Sequence, residues 1–474
     1  MFNSIRKNRL FVDISANSAQ IFITQLAGLI LFYLSSRYLS KTEFGDFNWS
    51  MAVSSTLLTV ASLGLDVIFV RKIALKDTPE HFIKLHFFHT LASGICILVM
   101  VLLINIWKQS FTQEHPAFNL VSISLVLLTI SSTFRLSMMG FEAYKALAWI
   151  ALVTNGIKLG FVLICSFWGG FTLNQLILGY LFANVSEWVL GYVFISKQVQ
   201  SIILPVWHPP TYLKFIRESL PQLGVVLFDS ALARMDWILL GLLSSSWITA
   251  EYSFAYRMYE SSKLPLIIIG PILLTRFTKL FNSNEGISIE SAKSVQHFFK
   301  WELFIVSLIP IVLVSCWSPL MDFFTDNKYG KTDELCYRML AACVPLHAII
   351  NYLWSMGFAQ GQIRAIFMIT LSVATLNIAL NLILIPMYGS NGAALSFLIA
   401  TLIQALLYAV FMKQEIIKLN YKNCFWMFLN SLLAIVLCQL LFDNIWLQVF
   451  SAVIAYGLLA VVTKQIEFKP IGDI

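Results

Sequence analysis

Residues 85–107 read LHFFHTLASGICILVMVLLINIW, an apolar run without one Asp, Glu, Lys or Arg. About 20 such residues, rising 1.5 Å each, cross the roughly 30 Å hydrocarbon layer as a helix. Working outward, runs of the same kind follow one another: Ile14–Tyr38, Phe47–Val70, Ala117–Met138, Leu147–Trp168, Leu173–Ser196, Leu220–Leu243, Tyr252–Leu274, Trp301–Trp317, Leu335–Ser355, Ile366–Pro386, Gly392–Met412, Cys424–Phe442 and Ile445–Val462. In hydrocarbon every backbone N–H and C=O must be bonded within its own segment, so these runs predict helices. The expected fold class is an all-α integral membrane protein of about 14 transmembrane helices. Two six-helix lobes surround a central cavity in this reading, and two C-terminal helices follow. Little chain is left for a soluble catalytic domain.

Composition agrees: 58% of residues are hydrophobic and 12% charged, with mean hydropathy +0.77. A soluble domain carries about 25% charged residues. The +7 net charge is explained by topology before any acidic partner is invoked. With a cytoplasmic N-terminus, 22 of the 32 Lys and Arg fall on that side, 5 on the other, and 5 in or near spans (Lys158, Arg234, Arg257, Lys263, Arg338). This is the positive-inside pattern, and it places both termini in the cytoplasm. The first run, with Asn17, Gln20, Thr24 and Gln25 inside it, is too polar for a removable signal peptide and has no small-residue cleavage site after it. The seven cysteines lack CxxC spacing and read as core filling. His81, His86 and His89 cluster without a Cys, Asp or Glu to complete a metal set, so no metal and no cofactor are expected. Gly330-Lys331-Thr332 lacks the first glycine of a P-loop, where Thr325 stands.

The polar segment Lys197–Glu218, with Pro205 and Pro209-Pro210, reads as a linker. It divides the chain into an N-terminal lobe (1–196), a cytoplasmic linker (197–218), a C-terminal lobe (219–412) and an extra helix pair with its tail (413–474). An even number of helices per lobe gives both the same orientation, as in parallel repeats. A faint echo fits: Thr42-Glu43-Phe44-Gly45 in one lobe, Thr249-Ala250-Glu251-Tyr252 in the other.

Charged groups within spans cost several kcal/mol unless they face a partner or a wet cavity, and so mark a candidate pathway. Gln222, Asp229 and Asp236 recur every seven residues on one face of the seventh span, with Arg234 on another flank. Arg257, Glu260 and Lys263 follow at i, i+3 steps, either as an intrahelical ion triad or as a cationic wall. Asn17, Gln20, Thr24, Gly28 and Ser35 form a polar, small stripe on the first span, explained by packing or by the pathway. Lys158 with Asn155 marks the fifth. Asp66 and Glu187 are the acidic counterparts, either silent salt bridges or groups that exchange an ion.

The segment Leu376–Ala394, LNIALNLILIPMYGSNGAA, resembles the helix-turn-helix of polysaccharide lipid flippases in the multidrug/oligosaccharidyl-lipid/polysaccharide exporter superfamily. Arg37-Tyr38-Leu39-Ser40 through Gly45, Gly64-Leu65-Asp66 with Arg71-Lys72, and Met235–Gly241 with Tyr256-Arg257 are similar to that family too, whereas Thr275-Arg276-Phe277 stands where it often has proline. The resemblance implies transport, not catalysis. Its substrate would be an undecaprenyl-pyrophosphate-linked oligosaccharide, such as an O-antigen unit, carried across the bacterial inner membrane under an ion gradient or membrane potential. Lys158, Arg234, Arg257 and Lys263 would pair with the pyrophosphate, while Asn17, Gln20, Thr24 and Asn155 would take sugar hydroxyls. Asp66, Glu187, Asp229, Asp236 and Glu260 would position these cations or couple the ion. Membrane lipid, a polysaccharide polymerase and a chain-length regulator are the partners it implies, and no nucleic acid. Rival readings are a multidrug or other secondary exporter of the same fold, and a membrane polysaccharide polymerase, for which the external segment Pro319–Glu334 is too short to build a site.

Reporter fusions at Lys76 and Lys214 are expected to report cytoplasm, and at His115 and Asn327 the opposite side. One reversal among the strongly basic loops breaks the fourteen-span topology.

Overall fold

The computed structural model describes residues 2–75, 78–108, 110–168, 170–281, 289–412 and 420–465; some side chains within these ranges, among them those of residues 2–18, 231–233, 289–294 and Asp229, lie outside the described set. In chain order the helices are α1 (Phe2–Tyr38), α2 (Lys41–Ala61), α3 (Leu65–Ala74), α4 (Pro79–Trp107), α5 (Ser110–Glu114), α6 (Phe118–Gly140), α7 (Tyr144–Phe167), α8 (Leu173–Val199), α9 (Pro209–Leu243), α10 (Ser246–Ser262), α11 (Leu264–Phe281), α12 (Ile289–Thr325), α13 (Glu334–Ala359), α14 (Ile363–Phe411), α15 (Tyr421–Leu441) and α16 (Ile445–Val462).

The protein is an all-helical, multi-pass membrane protein. Ten helices among the described residues are long and apolar enough to cross a bilayer, and the bent pair α2–α3 makes eleven. Every one of the fourteen predicted runs is nonetheless helical. The numbers differ for physical reasons. Two runs merge in α14, α9 crowds Asp229, Arg234 and Asp236 together, and the eighth run is split at Lys263 into α10 and α11. The expected linker also tightens: only residues 200–208 are irregular, because Pro209 and Pro210 open α9 instead of breaking it. Proline suits a first turn, whose N–H groups have no intrahelical partner. The segment expected outside, Pro319–Glu334, shortens likewise, since α12 runs through Pro319 to Thr325.

The chain forms two compact units: Met1–Gly241 with Ser245–Ala250, and Leu242–Ser244 with Glu251–Ile474. In the first, α6 is packed by α2, α3, α4 and α8. Small polar side chains stitch these helices, as expected where lipid is as apolar as leucine. Ser54 and Ser122 share a hydrogen bond of 2.9 Å, and Asn184 Nδ2 donates to Ser124 O at 2.8 Å. Buried Asp46 accepts from the Ala117 N–H at 2.7 Å, putting a carboxylate at the start of α6, where the helix dipole favours it. Trp49 Nε1 donates to Ile238 O at 3.2 Å, and the Lys41 ammonium lies 4.6 Å from the Trp247 ring, so α9 and the first turn of α10 belong with this unit. The second predicted span is broken at Ser62-Leu63-Gly64: Leu63 and Gly64 have positive φ, and the chain bends by 57°.

In the second unit α13 packs against α11, α12 and α14, while α15 and α16 pair and lie on α12. The turn inside α14 explains its motif. Pro386 cannot donate to the ladder, Gly389 takes φ 57° and ψ −128°, and at Gly392 a Cβ would stand 2.1 Å from Leu384 O. Trp107 and Trp168, 93% and 87% exposed at the ends of α4 and α7, sit where interfacial aromatics anchor spans.

Gly392→Ala is expected to destabilise the second unit by about 1–3 kcal/mol, the cost of overpacking, read as a lower melting temperature in detergent. Gly457→Ala, where no atom lies within 4 Å of the new Cβ, should leave melting unchanged.

Candidate functional site

Three of the in-span charges gather in the first unit around a fourth. Glu187 of α8 accepts from Arg135 NH1 of α6 at 3.0 Å and from Ser131 Oγ at 3.2 Å. Its side chain is 13% exposed, that of Arg135 39%. Lys158 of α7 lies in electrostatic range of both, with its ammonium 5.1 Å from the centre of the Tyr180 ring. A desolvated cation over an aromatic face is stabilised by the ring quadrupole. Asp66, also in electrostatic range of Arg135, follows directly on the α2–α3 bend. Its Oδ1 is 3.4 Å from Nε2 of the fully buried His86, whose Nδ1 shares a 2.9 Å hydrogen bond with Thr133. His89 Nδ1 and the Tyr212 hydroxyl lie 2.8 Å apart, tying α4 to α9. Lys158, Asp66 and Glu187 thus join one charged tract, although the sequence places them on three unrelated spans.

In the second unit Arg257 NH1 donates to Glu260 Oε2 at 2.8 Å, one turn along α10. Lys263, at the break before α11, leaves that line and sits 4.3 Å from the Tyr259 ring centre. Tyr259 faces His347 of α13, with ring centres 6.0 Å apart. In both tracts an arginine–glutamate hydrogen bond is accompanied by a lysine set over a tyrosine ring.

The remaining candidates among the described side chains bond mostly within their own helices. Thr24 is exposed and donates to Gln20 O of its own helix at 2.9 Å. Asn155 is buried and donates to Ala151 O at 2.8 Å. Gln20 is half-buried, and Asn17 and Asp229 lie outside the described side chains. The Arg234 guanidinium sits over Trp237, one turn further along α9, 5.4 Å from the ring centre, and Asp236 is buried. No group of three metal-ligating side chains forms among the described residues. Arg135 is the residue that the sequence reading misses. Its signal was its place before Met138, inside the fourth span, but the positive-inside count assigned it to the basic loop. Asn377 and Asn381, buried on α14, bond to each other at 3.1 Å.

Residues 11–275, more than half of the chain, match the model of the family described as polysaccharide biosynthesis protein. The chain belongs to that family. Its fold is shared with several solved transporters. A lipid II flippase, MurJ, in an inward closed conformation superposes with a TM-score of 0.72 at 16% identity, covering 95% of this chain and 98% of that one. A multidrug resistance MATE transporter in an inward-facing conformation gives 0.67 at 12% identity, over 83% and 96%. A MOP superfamily transporter from Pyrococcus furiosus gives 0.56 at 11%, over 83% and 92%. No curated protein sequence matches the chain. At these identities the superpositions establish the fold of MOP superfamily transporters in this polysaccharide biosynthesis family member.

Removing Arg135 takes from Glu187 its hydrogen-bonded cation. Arg135→Ala is expected to lower unfolding free energy by about 1.5–3 kcal/mol, the range for a hydrogen bond to a charged group. Arg135→Glu with Glu187→Arg should recover part of it, measured by detergent melting of the single and double variants.

Proposed function

We propose that this chain is a flippase. It moves undecaprenyl-pyrophosphate-linked oligosaccharide repeat units, those of an O-antigen, across the bacterial inner membrane by alternating access, driven by an ion gradient or the membrane potential. The observation that carries this reading is that each unit gathers two cations at membrane depth, Arg135 and Lys158 beside Glu187 and Asp66 in the first, and Arg257 and Lys263 with Glu260 alone in the second. A hydrated pyrophosphate cannot enter about 30 Å of hydrocarbon unless cations replace its water. Arg supplies a bidentate fork and Lys a compact point charge, and both are suited to phosphate oxygens. The carboxylates hold these side chains in place while the site is empty. Membership of a polysaccharide biosynthesis family and a fold shared with a lipid II flippase support the same substrate class. A polymerase and a chain-length regulator would receive the flipped unit.

The test is reconstitution in vesicles carrying a labelled lipid-linked oligosaccharide, with the label's access to an external quencher read over time. Lys158→Ala and Arg257→Ala are expected to abolish flipping with normal protein abundance, and Lys158→Arg and Arg257→Lys to retain part. Normal flipping by both Ala variants overturns the anion site. Gradient-driven uptake of a cationic dye in place of the lipid supports the exporter reading.

A further inference from the structure

Glu302 is a carboxylate buried within an apolar span of the second unit. It lies in the apolar stretch Val295–Thr325 of α12 and is 1% exposed. No cation pairs with it among the described residues. Its Oε1 accepts one hydrogen bond, from Asn351 Nδ2 of α13 at 3.3 Å, and its Oε2 accepts none. An ionised carboxylate there would have a single neutral donor against the full cost of desolvation. The neutral acid avoids that cost and keeps an O–H to donate.

A second observation lies next to it. Tyr352, the neighbour of Asn351, is fully buried with an unpartnered hydroxyl, and it stands in electrostatic range of Glu302. Tyr352 also lines a cavity of about 110 Å³ with Phe299 and Leu303, which flank Glu302 on α12. Lys300, Asn423 and Gln465 add polar groups to its lining, near the start of α15. A space of this size holds several waters.

We propose that Glu302 is the binding site of a transported proton, reached through Tyr352 from this cavity. The proton leaves Oε2 for a cavity water by way of the Tyr352 hydroxyl, since Tyr352 lines the cavity and Glu302 does not. The charge remains on the carboxylate, steadied by Asn351, until a proton returns from water on the opposite side. One carboxyl and one amide are too few ligands for a sodium or divalent ion, which takes about six oxygens, so the cation is a proton. Among the described residues, the ionisable groups near it on the elements packed around it include His297 and Lys300 on α12, His347 and Tyr352 on α13, Cys424 and Tyr421 on α15, Tyr456 on α16 and Arg276 on α11. Of these, Tyr352 bears on Glu302 electrostatically. The proposal rests on the transport reading but not on its substrate.

The experiment uses the full chain in lipid nanodiscs and vesicles. Infrared difference spectra recorded over a pH titration should show a protonated-carboxyl band that vanishes on alkalinisation and is lost in Glu302→Gln. Tyr352→Phe should slow its exchange with deuterated water. In vesicles, Glu302→Gln should lose the response of transport to an imposed pH gradient, and Glu302→Asp should keep part of it. If Glu302→Gln does not accumulate, Asn351→Ala leaves the carboxyl in place and should shift the titration midpoint. An absent or pH-invariant band, a band that answers to sodium instead of pH, or an undiminished gradient response in Glu302→Gln overturns the proposal. A titrating Glu302 in a protein that flips no lipid-linked oligosaccharide under any gradient discards the substrate reading and leaves the proton site standing.

Discussion

Within hydrocarbon a polar group has no water to turn to, and every donor, acceptor and charge must find its partner inside the protein. The helices satisfy the backbone, so what distinguishes this molecule is how its side chains meet the same demand. Hydroxyls mostly bond back to their own helix, as Ser35 does to Leu31 O and Thr129 to Leu125 O. Such bonds are local and cheap, and they leave the helix faces free to pack. Cross-helix bonds are fewer and fall at defined places: Ser54 to Ser122, Asn184 to Ser124, Asn351 to Glu302.

Where the backbone itself departs from the helix, the departure is placed next to charge. The bend at Leu63 and Gly64 is followed by Asp66, and the break between α10 and α11 falls on Lys263. A broken helix frees main-chain groups and re-aims the side chain beside them. In transporters of parallel-repeat design such interrupted spans accompany binding sites at membrane depth. The two interruptions here occupy the second and eighth predicted spans, at corresponding positions of the two six-run sets. The turn in α14 is different: it carries no charge, and its proline and glycines serve close packing of the chain on itself.

Sequence alone determined the class of the molecule, because the constraint that sets it is one-dimensional. A helix must carry about 20 apolar residues to cross the bilayer, and that requirement is written along the chain. The fourteen runs, their helical state and the glycine and proline of the α14 turn were therefore legible. Sequence also singled out Lys158, Glu187, Asp66, Arg257, Glu260 and Lys263, since a charge in an apolar run is conspicuous by itself. It could not say which charges meet. Partners on different helices are related by packing in three dimensions, and no spacing along one chain encodes it. Arg135 was hidden by its nearness to a basic loop, and Glu302 by standing at the edge of its run, beside Lys300 and Trp301. Only the tertiary structure brought Arg135 onto Glu187 and into range of Asp66, set Lys263 over the Tyr259 ring, and buried Glu302 with a single amide donor. In a membrane the cost of a charge is set by what surrounds it, and that surrounding is made by helices distant in sequence.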